Sequence, residues 1–115
     1  MGLDTTHNCW HGPYSHFNNF RRWVAKQIGL NLDSMEGFGG DISFDITNHP
    51  IKPLLEHSDC DGELTPDECR SIIEGAEIIL NKIDPAEWKD WEVKLKAFAN
   101  GCKKAIENNE NVKFR

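Results

Sequence analysis

The stretch HSDCDGELTPDE, residues 57–68, spaces its carboxylates as a calcium loop does. An EF-hand loop places oxygen ligands at positions 1, 3, 5, 7, 9 and 12, with glycine at 6. Setting Gly62 at position 6 puts Asp59 at 3, Asp61 at 5, Glu63 at 7, Thr65 at 9 and Glu68 at 12. Leu64, at position 8, can pack inward. Glu68 falls in the first turn of the exit helix, where it can offer two oxygens to a metal. Asp59, Asp61, Glu63 and Glu68 are therefore the candidate metal ligands, with Ca2+ the first candidate ion. Position 1 breaks the pattern, because His57 stands where a calcium loop has aspartate and a neutral imidazole suits a hard cation poorly. EF-hands usually come in pairs, and the sequence holds no second loop. Two alternatives follow. The loop could keep its turn without the ion, Asp59 and Asp61 bonding backbone amides and Glu68 capping its own helix. Or it could hold a transition metal such as Zn2+, with His57 as the natural ligand and Asp59, Asp61 or Cys60 helping.

A second concentration of reactive residues lies in THNCWHGPYSHFNNFRRW, residues 6–23. If residues 7–11 are extended, His7, Cys9 and His11 project to one face, and His16 follows one turn into a helix. Two imidazoles, a thiolate and a third imidazole could hold Zn2+ tetrahedrally, though the spacing is that of no common zinc module. The same residues support a ligand pocket. Trp10, Tyr14 and Trp23 offer flat faces, and Arg21 and Arg22 offer forked donors for phosphate or carboxylate. His7, His11 and His16 add donors for a phosphate or a purine edge, so a small anionic, nucleotide-like ligand fits the set. The competing reading is a helix with aromatics inside and arginines outside. A histidine oriented by Asp4 could also act as a general base. No serine elbow, phosphate loop or HExxH pattern accompanies it.

These residues need elements to hold them. Residues 1–13 carry no helical period and read as an extended segment ending at Gly12-Pro13. A helix is expected from Ser15 as N-cap, with Phe17, Phe20, Val24 and Ile28 as its apolar stripe and Gly29 closing it. Residues 30–41 form a glycine-rich connection with room for one helical turn. ISFDI, residues 42–46, alternates like a short strand. Pro50 starts a short helix running through Leu55. Thr65-Pro66-Asp67-Glu68 is a capping box with proline at the first helical position. The helix behind it should bury Cys69, Ile72, Ile73, Ala76, Ile79 and Leu80, and could extend that face to Ile83. Asp84-Pro85-Ala86-Glu87 repeats that start signal for a last helix to about Asn108, with Trp88, Trp91, Leu95, Phe98, Cys102 and Ile106 inside. VKFR at the end reads as an edge strand, paired with 42–46 or with the N-terminal segment. The expected fold is mainly α: a single small domain over 1–115, of about four helices with an EF-hand-like helix–loop–helix and at most a small β-sheet.

Composition narrows the partners. With 115 residues, 38% hydrophobic and 28% charged, the chain fits one soluble globular domain. Its net charge of −6 argues against generic nucleic-acid binding. No apolar run approaches membrane-spanning length, and MGLDTTHNCW lacks the apolar stretch of a signal peptide, so a cytoplasmic protein is expected. Gly2 and Thr6 meet only the loose pattern for myristoylation. The four cysteines lack a CxxC pair and read as free thiols, Cys69 and Cys102 as small core residues.

LDTTHNCWHGPYSHFNNFR and LLEHSDCDGEL together resemble a family of small uncharacterised proteins carried by phages and mobile bacterial DNA. Its members share a start like LDTTH–W–G–YS–F–R and a central HSDCDGE. The resemblance spans most of the chain. It implies that His57 belongs to the pattern, and that Thr5-Thr6-His7 and the loop could work together. By analogy it also implies a host-directed role in the host cytoplasm, against a defence protein or a nucleotide signal. Three expectations follow. The first is a non-enzymatic binding protein that sequesters a small anionic ligand through His7, Trp10, His11, Tyr14, His16, Arg21 and His57. The second is a metal-dependent hydrolase in which His7, His11, His57 and Asp59 or Asp61 share one ion. The third is an acidic module that docks a host protein.

Overall fold

The computed structural model describes residues 2–35, 40–43, 49–56 and 62–114. The chain opens with an antiparallel pair, β1 (Gly2–Asp4) and β2 (His11–Pro13), in the register Gly2↔Pro13, Leu3↔Gly12 and Asp4↔His11. A 3-10 turn, Thr6–Asn8, lies between the two strands. Then come α1 (Tyr14–Gln27), a 3-10 turn at Leu32–Ser34, α2 (Lys52–Glu56), β3 (Glu63–Leu64) and α3 (Pro66–Leu80). A 3-10 turn at Pro85–Glu87, α4 (Asp90–Glu107) and β4 (Val112–Lys113) complete the order. The architecture is mainly α, with four α-helices and two small two-stranded sheets among the described residues.

Most of these elements arise where the apolar pattern places them. On α1, Phe17, Phe20, Val24 and Ala25 are buried, and Gly29 follows the helix at φ 79°. The helix starts at Tyr14, not after a Ser15 cap. Pro13, at φ −62° and ψ 148°, leads straight into it without a side-chain cap. The capping box at α3 forms as read: the Thr65 hydroxyl accepts from the Glu68 amide, and the Glu68 carboxylate accepts from the Thr65 amide. Behind it Cys69, Ile72, Ala76, Ile79 and Leu80 are buried, while Ile73 is half-buried. The Asp84-Pro85 signal starts only a 3-10 turn, with Asp84 Oδ1 accepting from the Ala86 amide at 3.0 Å. Trp88 is extended, at φ −62° and ψ 134°, and α4 begins after it at Asp90. α2 starts at Lys52, two residues beyond Pro50. Of residues 42–46, Ile42 makes a parallel bridge to Met35, and 44–46 lie outside the described residues.

α3 and α4 pack on each other, and α1, α2 and Trp10 close the core over them. Its centre is aromatic. Phe20 stacks on Trp10 at 5.1 Å and on Phe98 at 6.4 Å, and Phe17 stacks on Phe98 at 6.5 Å. Such offset ring pairs add to the stabilisation from buried area.

The C-terminal strand closes the fold. β4 pairs antiparallel with β3 in the register Glu63↔Lys113 and Leu64↔Val112. Phe114, just beyond, bridges Thr5 and donates its amide to the Gly62 carbonyl at 3.0 Å. The strand expected from VKFR thus pairs with the N-terminal segment and also with the end of the 57–68 loop. Its partnership with 42–46 is not seen among the described residues.

Candidate functional site

The clasp at β4 brings Thr6 and His7 beside Glu63. Thr5 starts the arrangement: its amide donates to the Trp10 carbonyl at 3.0 Å, and its hydroxyl accepts from the Trp10 amide at 2.8 Å. This closes the 5–10 turn and forces His7 to φ 62° and ψ 16°, a left-handed conformation uncommon outside glycine. Such strain persists only where neighbours hold it, and it concentrates at functional sites.

The neighbours here form a chain of hydrogen bonds. Thr6 Oγ1 accepts from the Lys113 amide at 2.9 Å, which leaves its own proton for His7 Nδ1 at 2.8 Å. His7 Nε2 then donates to Glu110 Oε1 at 3.2 Å. This pattern assigns the proton of a neutral His7 ring to Nε2. The His7 side chain is only 14% exposed, whereas that of Glu110 is 56% exposed. Opposite them Glu63 accepts from the Asn111 amide group at 2.9 Å and lies 3.9 Å from Lys113 Nζ. Asn109 follows the end of α4 at φ 53°, turning the chain toward β4.

These residues line an open cavity of about 570 Å³: Thr6, His7, Glu63, Asn109, Glu110, Asn111 and Lys113. Its wall is polar, with two carboxylates against one ammonium, so it suits a hydrogen-bonding ligand better than a multiply charged anion. Glu110, Asn111 and Lys113 carry no sequence motif, whereas Thr6 stands in the Thr5-Thr6-His7 run that the resemblance singles out. Asn109 has a signal of another kind, as an asparagine just past a helix end.

The described part of the 57–68 loop turns at a glycine and leads through a short strand into a capped helix. Gly62 sits at φ 93°, Leu64 is fully buried in the two-residue strand, and Thr65 caps the exit helix. Glu63 and Glu68 both have carboxylate oxygens engaged within the protein, Glu68 Oε1 on the Thr65 amide at 3.0 Å. His57, Asp59 and Asp61 lie outside the described residues, as do Cys60 and the Tyr14 side chain.

The other candidates separate. Trp10 is 4% exposed and Arg21 1% exposed, so both belong to the core and not to a ligand surface. Phe20 covers one face of Trp10, and Lys94 Nζ sits 4.8 Å from the Trp10 ring centroid. Arg21 donates to the Leu55 carbonyl at 3.3 Å and to Asn18 Oδ1 at 2.6 Å, and lies over Phe17. Its guanidinium thereby ties α1 to the end of α2. Arg22 instead bonds Asp33 at 2.8 Å and Asn19 at 2.9 Å on the surface.

The expected single face of His7, Cys9 and His11 does not form, because the 3-10 turn breaks the strand alternation. Cys9 turns into the core, and His11 faces solvent with Nδ1 3.5 Å from Asp4 Oδ1. His16 rests its edge against Trp91 at 5.0 Å. Among the described residues no group of three or more His, Cys, Asp or Glu side chains is placed to hold a metal ion. Cys9, Cys69 and Cys102 are free and buried, Cys69 and Cys102 as expected for small core residues and Cys9 in place of the expected face shared with His7 and His11. Hydrogen bonds with Cys69 and Cys9, reinforced by burial, push the Cys102 thiol far up and keep it protonated.

Comparisons with family models, with curated proteins and with solved structures find no match for this chain.

Proposed function

We propose that the protein is a non-enzymatic binding protein that takes a small polar ligand into the cavity between Thr6-His7, Glu63 and the C-terminal strand. The observation that carries this reading is His7. A strained backbone, held by a hydrogen-bonded chain from Lys113 through Thr6 to Glu110, presents one nearly buried imidazole at the wall of an open polar cavity. Asn109, Asn111 and Lys113 add the donors and acceptors that fix a ligand's orientation. A nucleotide-derived molecule, read by its base edge more than by its phosphates, is the class that meets both this wall and the phage resemblance. Sequestration of a host defence signal is the corresponding role.

A second reading rests on the same chain of bonds. A hydroxyl, an imidazole and a carboxylate in series resemble a nucleophile, a base and the group that orients it. That would make the protein a hydrolase acting through Thr6. The Lys113 amide already bonds the Thr6 oxygen and lowers its nucleophilicity, which favours binding over catalysis.

One experiment separates the two readings. Thermal melts are run with a panel of nucleosides, nucleotides and cyclic dinucleotides, and each compound is recovered afterwards by chromatography. Sequestration requires a raised melting temperature with the ligand recovered intact. It also requires that Asn111→Ala removes the rise. A converted compound, with conversion lost in Thr6→Val, supports the hydrolase instead. A panel that leaves the melt unmoved overturns the nucleotide assignment.

A further inference from the structure

A second cavity, of about 620 Å³, is built from different residues: Trp23 on α1, Trp88 between the 85–87 turn and α4, and Trp91 in the first turn of α4. Glu87, Lys89 and Glu92 share its wall. Three of the four tryptophans of the chain therefore face one space. Each is half-buried. Among the described residues no ring contact joins the three to one another, so none of the three is stacked on another.

Two of the three rings are fixed before any ligand arrives. The Trp88 indole N–H donates to the Ile83 carbonyl at 3.3 Å. Trp91 is wedged by His16 at 5.0 Å and Phe20 at 6.1 Å. Ordering these side chains in advance removes an entropic cost from binding.

The chemistry of the occupant follows from the charge. Glu92 is 8% exposed, and among the described residues its carboxylate has no hydrogen-bond or ion-pair partner. Its oxygens are not among the enclosed polar atoms of the protein, so the charge stays open to the cavity and to solvent. It lines the same cavity as the three indoles, and Glu87 adds a second negative charge against the single ammonium of Lys89. Aromatic faces with a nearby carboxylate attract a bulky, weakly hydrated cation.

We infer that this cavity is an aromatic cage for a methylated ammonium group, with Trp23, Trp88 and Trp91 as its walls and Glu92 as its counter-charge. The group is carried either by a free small molecule or by a methylated lysine side chain. The site is independent of the cavity at His7.

The test is calorimetric titration with choline, with tetramethylammonium and with 3,3-dimethylbutan-1-ol, the uncharged isostere of choline. Choline and tetramethylammonium should saturate one site, and the isostere should bind about fivefold more weakly or less tightly still. Glu92→Gln should weaken choline several-fold without changing the fold, and Trp88→Ala should remove binding. If Trp88→Ala fails to fold, the Glu92→Gln result and the isostere decide. A trimethyllysine peptide measured beside its unmethylated form names the source: tighter binding than choline assigns a protein side chain, weaker binding a free molecule. The inference is overturned by no saturation at about 50 mM tetramethylammonium. It is equally overturned if the isostere binds as tightly as choline, which would leave a plain apolar groove.

Discussion

His49 stands just ahead of α2, where its Nδ1 accepts from the Ile51 amide at 3.1 Å. Burial lowers its pKa from the ordinary 6.5, the neighbouring Lys82 lowers it further, and Glu74 offsets part of the shift. The folded state thus favours the neutral ring. Its contribution to stability is whole above the unfolded value and is lost as pH falls through the lower folded value. Melting temperature should therefore drop between pH 7 and pH 5, and His49→Asn, which keeps an acceptor for the Ile51 amide, should flatten that drop. Thr6 gives a second residue-scale prediction. Valine has its shape but neither bonds the Lys113 amide nor donates to His7. Thr6→Val should cost about 1–3 kcal/mol in chemical denaturation. Neither role could be read from the sequence, since a histidine in a loop and a threonine in a TTH run have no local signature for their partners.

Among the elements, α3 was the most legible. Thr65-Pro66-Asp67-Glu68 states its start, and both reciprocal bonds of the box form. Thr65→Ala should destabilise the protein by about 1 kcal/mol, read from the denaturation midpoint. The same signal at Asp84-Pro85 misleads, because an acidic cap and a proline begin a 3-10 turn as readily as an α-helix. The difference is settled by Trp88, whose indole bonds back to Ile83 and whose extended backbone stops the turn before α4. In the N-terminal segment, alternation failed for a related reason. A short stretch with mixed polar residues has no period strong enough to reveal one turn, so Cys9 ends in the core and His11 in solvent. The aromatic period of α1 was legible, but it could not say that Arg21 would be buried, because a guanidinium goes inside only when distant acceptors such as the Leu55 carbonyl are supplied.

For the molecule as a whole, apolar periodicity sufficed for the mainly α class, and pairing over long distances in the chain did not show. His7 and Glu110 are separated by 103 positions. What joins them is close packing of the N-terminal turn on α4. At Gly101 an added Cβ would come within 2.5 Å of Cys9 Sγ and 2.7 Å of the His7 carbonyl oxygen. Gly101→Ala should therefore lower stability by about 1–3 kcal/mol and loosen the His7 cavity, seen as lost ligand-induced shifts in the melt. The clasp at β4 also has a kinetic consequence. Thr5, Gly62 and Phe114 meet only after long stretches of chain have been looped, so their pairing waits on the packing of α3 against α4. Native-state hydrogen exchange should find the Thr5, Lys113 and Phe114 amides exchanging as one unit, sooner than the centres of α3 and α4. The walls around His7 would then be the last part of the protein to assemble and the first to come apart.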